Sequence, residues 1–126
     1  MRQSFFAALL LVIGCGSDSS TSDRVTTACG KITDAECAKL AECKVMESGT
    51  LVTTAVCQQI RATAIDQCRT KEGAGITGGT DADIDACVQG FQELQCANLC
   101  GQVPQDPAAC QKLSPTPNTQ SITCAP

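Results

Sequence analysis

Apolar residues recur at intervals of three and four along three segments of the chain, residues 31–46, 53–71 and 81–100. This spacing places them on one face of an α-helix. In the second segment, Cys57 and Cys68 lie eleven residues apart, about three helical turns, so they share a face. No segment has the sustained apolar and polar alternation that is typical of a half-buried strand. The pattern therefore predicts an all-α fold, a small bundle of three to four helices.

Residues that favour helix ends bound these segments. Thr33 and Glu36 have the spacing of a capping box, in which each side chain accepts a hydrogen bond from the backbone N–H of the other. Asp106 followed by Pro107 predicts the start of a short fourth helix, with Asp106 as its cap. The glycine-rich residues 72–80, between the second and third segments, predict a loop.

A short, unbroken apolar run of nine residues occupies positions 5–13, behind the single cation Arg2. This run is far shorter than the ~20 residues that a helix needs to span a bilayer. A basic start, a short apolar core and small residues after it are typical of a secretory signal, which we place at residues 1–14. Residues 16–28 are rich in Ser, Thr, Asp and Gly, a composition that predicts a flexible tether.

The segment LLVIGC, residues 10–15, resembles the lipobox of bacterial lipoproteins. In that family the residue before the cysteine is small, here Gly14, and an aliphatic residue stands at the third position before it, here Val12. The resemblance implies that the Cys15 thiol is acylated after cleavage, so that the protein meets the membrane through an N-terminal lipid. In this family, an aspartate directly after the cysteine retains the protein in the inner membrane. Gly16 occupies that position here, so the resemblance implies the outer membrane. The alternative is an ordinary signal peptide with an incidental cysteine.

Cysteine is unusually frequent, with 11 in 126 residues. Such a density in a short chain indicates a disulfide scaffold, and disulfides persist in oxidising compartments. With Cys15 assigned to lipid, an even number remains. The disulfide candidates are Cys29, Cys37, Cys43, Cys57, Cys68, Cys87, Cys96, Cys100, Cys110 and Cys124. Sequence cannot choose their partners. We advance Cys43–Cys57 and Cys68–Cys87 as hypotheses, because each pair would join consecutive helices across a loop.

The charge balance and the missing residue types exclude several classes of function. The formal net charge is −4, and loss of Arg2 with the signal would bring it to about −5. An acidic chain is poorly suited to binding nucleic acid through phosphate contacts. The chain has no histidine, tryptophan or tyrosine, so an ordinary Ser-His or Cys-His catalytic pair cannot form. We therefore predict a protein that is not an enzyme and holds no cofactor.

Three short motifs have a known chemical use but lack the context that the chemistry needs. GAGITG, residues 73–78, has the glycine spacing of a dinucleotide loop, but polar residues rather than a strand precede it. DADID, residues 81–85, resembles the start of a calcium loop, but Ala86 and Gln92 stand where Gly and Glu are required. CANLC, residues 96–100, lacks the second pair of ligands of a zinc site. We expect no metal at any of them.

The cysteine pattern as a whole resembles that of small cysteine-rich lipoproteins of myxobacteria and related bacteria. The resemblance rests on the lipobox, the Ser/Thr-rich tether, CAKLAEC at residues 37–43 and LCGQVPQDPAAC at residues 99–110. It implies an anchored helical protein of the cell envelope but no particular activity.

The helical segments place the cysteine-rich domain at residues 29–113, followed by a Pro/Ser/Thr-rich tail at residues 114–126. Because no catalytic constellation is visible, we expect a non-enzymatic structural or protein-interaction lipoprotein in the outer membrane. Other envelope proteins would then be its partners. The alternative is a saposin-like carrier of small molecules or lipids.

Overall fold

The structure is a computed structural model that describes residues 3–103, 106–113 and 121–126, with the side chains of residues 3–20 outside the description. Most of the described chain is helical, and a small sheet joins the helices. The sequence predicted an all-α fold. That prediction is right for the helical character of the domain but misses the small three-stranded sheet. The elements are α1 Gln3–Glu42, β1 Val45–Glu47, β2 Thr50–Leu51, α2 Thr54–Gly78, α3 Asp81–Glu93, α4 Cys96–Leu99, α5 Ala108–Gln111 and β3 Thr123–Cys124.

The sheet is antiparallel, and β1 lies at its centre between β2 and β3. Helix α1 ends before the predicted residue 46 because Lys44 adopts a positive φ of 55°, which an α-helix does not allow. Ser48 and Gly49 also have positive φ and form the tight turn between β1 and β2. Strands of two or three residues are too short to show an alternating pattern, so they could not be predicted from the apolar periodicity.

Helix α1 starts well before the residues that the periodic pattern marks as helical. Val25 and Ala28 are buried in the core. Arg24 reaches the end of α2, where its Nη1 donates to the carbonyl of Ile76 at 2.7 Å and its Nη2 to the carbonyl of Gly79 at 3.1 Å. Tertiary packing of this kind overrides a Ser/Thr-rich composition. Residues 21–28 thus belong to the ordered domain, and the prediction of a flexible tether is wrong for them.

The predicted loop at residues 72–80 is also wrong, because α2 continues to Gly78. Ile76 has no exposed surface, and its burial anchors the last turns of the helix. Gly75 lies directly against the backbone of Leu113, a closeness that a side chain would prevent. Arg24 donates hydrogen bonds to the carbonyls of Ile76 and Gly79 at this helix end, where the last carbonyls lack the usual partners one turn further on. The Ile76 carbonyl also accepts from the Gly79 backbone N–H at 3.2 Å.

The third predicted helix is interrupted. Helix α3 ends at Glu93, the chain is extended at Leu94 and Gln95, and the single turn of α4 follows. Thr80 caps α3 in a capping box with Asp83, whose carboxylate accepts from the Thr80 backbone N–H at 2.9 Å. The hydrogen bonds from Thr80 hold the pKa of Asp83 below its usual value.

The predicted cap at Asp106 is absent. Pro107 takes the N-cap position of α5, and no side chain caps this helix. The predicted capping box of Thr33 and Glu36 is wrong for a simpler reason, since both residues lie inside α1. Thr53 does cap α2, through a hydrogen bond from the Val56 backbone N–H.

All ten candidate cysteines form disulfides, which confirms the expected scaffold. The bonds are Cys29–Cys68, Cys37–Cys57, Cys43–Cys96, Cys87–Cys110 and Cys100–Cys124. Both hypothetical pairs, Cys43–Cys57 and Cys68–Cys87, are therefore wrong. The first two bonds cross-link α1 and α2 in opposite sequence order, so these helices run antiparallel. Cys43 lies just beyond the end of α1 and bonds to Cys96, the first residue of α4.

The apolar side chains form two clusters. The larger one contains ten buried residues, from α1, α2, α3, α5 and Leu113 just after α5, and includes Ile76 and Phe91. Cys43, Val45, Val52 and Leu99 make the smaller one, next to the sheet. The sheet therefore has its own core instead of lying loosely on the helices.

The C-terminal residues 121–126 belong to the fold, although the composition predicted a tail over residues 114–126. Strand β3 pairs with β1, and Gly101 N donates to the Ile122 carbonyl at 2.7 Å. Residues 114–120 lie outside the described part of the chain. The Cys100–Cys124 disulfide closes this end of the chain onto the domain.

The predicted signal at residues 1–14 and the predicted lipid site at Cys15 involve side chains outside the description, so both stay predictions. Across the described residues, we find no helix with both the length and the apolar character to span a membrane.

Gly75→Ala should destabilise the domain, because a Cβ at this position would collide with the Leu113 backbone. We expect the free energy of unfolding, measured by urea denaturation of the oxidised protein, to fall by about 1–3 kcal/mol, as in other overpacked sites. Gly78→Ala in the same helix is the control, since no atom lies within 4 Å of its added Cβ. It should be neutral or slightly stabilising. Equal effects from the two substitutions would contradict the close packing of α2 against Leu113.

Candidate functional site

A groove of about 300 Å³ opens between α1 and α2. Aliphatic side chains from both helices line it, and charged side chains stand among them. The aliphatic lining residues are Ile32, Leu40, Ile60 and Ala64. The charged ones are Glu36, Glu47, Lys71 and Glu72. Such a combination of apolar surface and a few polar groups is typical of ligand-binding concavities.

Two disulfides set the width of the groove. Cys29–Cys68 and Cys37–Cys57 join the two helices, with Cα–Cα distances of 5.7 and 6.1 Å. On α2, Ala64 lies between the two bridges, and its short side chain leaves space that a larger residue would fill. The groove is therefore preformed, because its walls are covalently joined on both sides of Ala64.

Carboxylates from three parts of the chain surround the groove. Glu36 comes from α1, Glu47 from β1 and Glu72 from α2, and Asp106 lies close enough to act on the first and the last. Protein atoms around the Glu36 carboxyl displace part of its hydration, and this desolvation is the largest of the effects that raise its pKa. The charges of Asp106, Glu72 and Glu47 act in the same direction, and Lys71 acts in the opposite one. Solvent still reaches the exposed Glu36 side chain, which screens part of this effect.

The same causes act on the neighbouring acids. Burial and the charge of Asp106 raise the pKa of Glu72, and Lys71 again opposes the shift. Burial also raises the pKa of Asp106. The groove thus concentrates negative charge where part of the surrounding water has been replaced by protein.

The ion pairs within the described part of the chain do not involve the groove carboxylates. The ion pairs formed by the described side chains are Arg24–Asp81, Lys39–Glu42, Arg61–Asp34 and Arg69–Asp66. None of them includes Glu36, Glu47 or Glu72. Lys71 is the single cation among the residues that line the groove, so the lining carries an excess of negative charge.

Chemically, the groove can bind a positively charged group beside an aliphatic one. Within the described ranges, no cluster of three or more His, Cys, Asp or Glu side chains is arranged to hold a metal ion. The cysteines at the groove are disulfide-bonded, so they offer no thiolate. The groove therefore offers carboxylate oxygens to a cation and methyl groups to an apolar side chain.

The three motifs singled out in the sequence have structural roles in the fold. GAGITG lies in the last turns of α2. In DADID, Asp81 pairs with Arg24 at 3.2 Å and Asp83 belongs to the capping box of α3. The two cysteines of CANLC belong to different disulfides, with Cys43 and Cys124 as partners.

Sequence reasoning did not identify the groove acids. Glu36 matched a helix-capping pattern and Asp106 matched another, while Glu72 fell in a predicted loop. Glu36 precedes Cys37, and Glu72 follows Cys68 by one helical turn. These positions become neighbours only when the cysteine pairing is known, and the pairing cannot be deduced from spacing.

Two other concavities are larger but less suited to selective binding. One, of about 630 Å³, is open and lined mainly by small and hydroxyl-bearing residues at the start of the packed part of α1 and the end of α2. The other, of about 640 Å³, contains Asp34, Lys39 and Glu42, whose charges are already in ion pairs with partners in the domain. The α1–α2 groove is therefore the best candidate site.

Glu36→Gln should stabilise the domain at pH 8 and have little effect near pH 4. A carboxyl with a raised pKa binds its proton more tightly in the folded state. Stability is therefore lost as the pH rises from the unfolded-state pKa through the folded-state pKa. The neutral amide removes this loss and the repulsion from Asp106, Glu72 and Glu47. We expect the Tm at pH 8, followed by circular dichroism, to rise by about 2–4 °C.

Asp85→Asn, on the exposed surface of α3, is the matched control, and its Tm should change by less than that of Glu36→Gln at pH 8. A lower Tm for Glu36→Gln at pH 8, or an equal gain at both pH values, would show that Glu36 is not held among like charges.

Comparisons with family models, with curated proteins and with solved structures found no match to this chain. Its function is therefore inferred from its own residues, with the α1–α2 groove as the candidate site.

Proposed function

We propose that this protein is a non-enzymatic lipoprotein of the bacterial outer membrane whose disulfide-stapled domain binds another envelope protein. The observation that carries the proposal is the α1–α2 groove, a preformed and solvent-open concavity with apolar and charged walls. The lipobox-like sequence that ends at Cys15 supports the anchor.

The chain length between the anchor and the groove favours a groove that lies at a distance from the lipid. Seven residue steps separate Cys15 from Ser22, whose Oγ accepts a hydrogen bond from Arg69 of α2. They reach about 23 Å if fully extended and about 11 Å if helical. The α1 residues of the groove start at Ile32, about 15 Å further along the helix. A partner could then enter the groove without displacing lipid.

The side chains at the groove support binding rather than catalysis. The chain has no histidine, and the ten domain cysteines are in disulfides. The groove therefore contains neither an imidazole nor a thiolate, the groups that most often act as base or nucleophile. Its carboxylates and aliphatic groups are sufficient for recognition of a partner.

The saposin-like carrier receives less support. A carrier must enclose most of an acyl chain, but the groove is open, measures about 300 Å³ and is lined by three carboxylates. Ile76, Ile84 and Phe91 pack together in the larger core cluster, where a carrier would need a cavity. We therefore propose the interaction module and not the carrier.

Cells that express the full chain and are fed an alkyne-tagged fatty acid should label it and hold it in the membrane fraction. Cys15→Ser should lose the label and leave that fraction, because the acyl chains supply the membrane affinity. The double variant Cys100→Ser/Cys124→Ser is the control. It lacks one disulfide but keeps Cys15, so it should remain labelled. Unlabelled unaltered protein, or labelled Cys15→Ser, would contradict the anchor.

A further inference from the structure

We propose that the α1–α2 groove binds a segment of the partner protein that presents a lysine or arginine side chain next to an aliphatic one. This inference rests on the proposed function for the existence of a protein partner, and it specifies the chemistry of that partner. It goes beyond the general expectation of an interaction module because it assigns the contact to one surface and one sign of charge.

The charge of the groove selects a cation. Glu36, Glu47 and Glu72 face the groove with Lys71 as the single cation of the lining, and Asp106 adds to the repulsion felt by Glu36 and Glu72. None of these acids is in the four ion pairs of the described side chains, and Lys71 offsets only part of the repulsion at Glu36 and Glu72. An incoming ammonium or guanidinium group would relieve this repulsion and form charge-assisted hydrogen bonds with the carboxylates.

The apolar lining selects an aliphatic neighbour of that cation. Ile60 belongs to the groove and is 45 % exposed, one of three large apolar residues with such exposure among the described residues. The half-buried Leu40 continues the apolar surface on α1, while Ile32, only 4 % exposed, forms the floor beside it. Covering this surface removes apolar area from water, which is the general driving force for association.

The chain itself contains little that could occupy the groove. The residues outside the description at positions 104–105 and 114–120 include no lysine or arginine, and positions 1–20 contain only Arg2, within the predicted signal. A cation that reaches Glu36 and Glu72, other than Lys71, therefore has to come from another molecule.

The size of the groove indicates a short segment as the occupant. A concavity of about 300 Å³ is at the lower end of the range of small-molecule pockets, about 300–1,000 Å³, so it has room for only a few side chains. We therefore expect contact with a few consecutive residues, and an affinity that decreases as salt screens the exposed charges.

The test measures binding of defined peptides to the full acylated protein in phosphatidylcholine nanodiscs, with empty nanodiscs as the blank. The probe is a fluorescein-labelled, end-capped peptide, Gly-Leu-Lys-Leu-Gly, and binding is followed by fluorescence anisotropy. One comparison peptide replaces its lysine by glutamate, and the other replaces both leucines by serine. The lysine–leucine peptide should bind best, and 0.5 M NaCl should weaken it severalfold.

The variants locate the binding surface. Glu36→Gln/Glu72→Gln should weaken binding of the lysine–leucine peptide about tenfold, because two charged contacts are lost. Since Glu36→Gln is expected to stabilise the fold, a loss of binding would not reflect unfolding, and circular dichroism checks this directly. Asp85→Asn, an acid-to-amide change on α3 outside the groove, should leave the affinity unchanged.

Four results would overturn the inference. These are no measurable binding of the lysine–leucine peptide, equal binding of the glutamate peptide, unchanged affinity in the double glutamine variant, or an equal loss in Asp85→Asn. The proposed lipid anchor is tested separately. If Cys15 is not acylated, the protein stays unlabelled in the fatty-acid experiment, independently of the peptide-binding result.

Discussion

Two disulfides tie α1 to α2, a third from Cys43, just beyond the end of α1, reaches α4, and the other elements take their positions from these bonds. Cys29 and Cys37 hold α2 alongside α1, and Cys43 holds α4 across a separation of 53 residues. A cross-link stabilises the fold mainly by restricting the unfolded chain, by about 3–4 kcal/mol for loops of this length. That contribution is large for a domain whose larger core cluster contains a single aromatic residue, Phe91.

The groove is a consequence of the same bonds. Like charges on α1 and α2 repel one another, and without cross-links this repulsion would tend to separate the helices or draw in a neutralising side chain. With Cys29–Cys68 and Cys37–Cys57 in place, Glu36 and Glu72 stay close at a cost that the covalent bonds can offset. Stability from the disulfides thus permits a surface that is unfavourable on its own and suited to a cationic partner, a compromise often found at binding sites.

Much of the helical content could be predicted from the sequence, because periodic apolar positions mark residues 31–42, 54–71 and 81–93 without knowledge of their neighbours. The parts that could not be predicted depend on distant contacts. Arg24 and Leu113 hold the end of α2 in helical form, although the glycines there favour a loop by composition. The cysteines were identifiable, but their partners were not. The acids of the groove come together only through that pairing, so the candidate site was missed for the same reason.

The cross-links of α1 can be tested most directly by peptide mapping of the protein without reduction. Digestion at a pH below 7 suppresses thiol–disulfide exchange, because exchange requires a thiolate, and mass spectrometry then identifies the joined peptides. The account predicts peptides that contain Cys29–Cys68, Cys37–Cys57 and Cys43–Cys96. Recovery of Cys43 joined to Cys57, or of Cys68 joined to Cys87, would contradict it, because α1 and α2 would then lack the two bonds that form the groove.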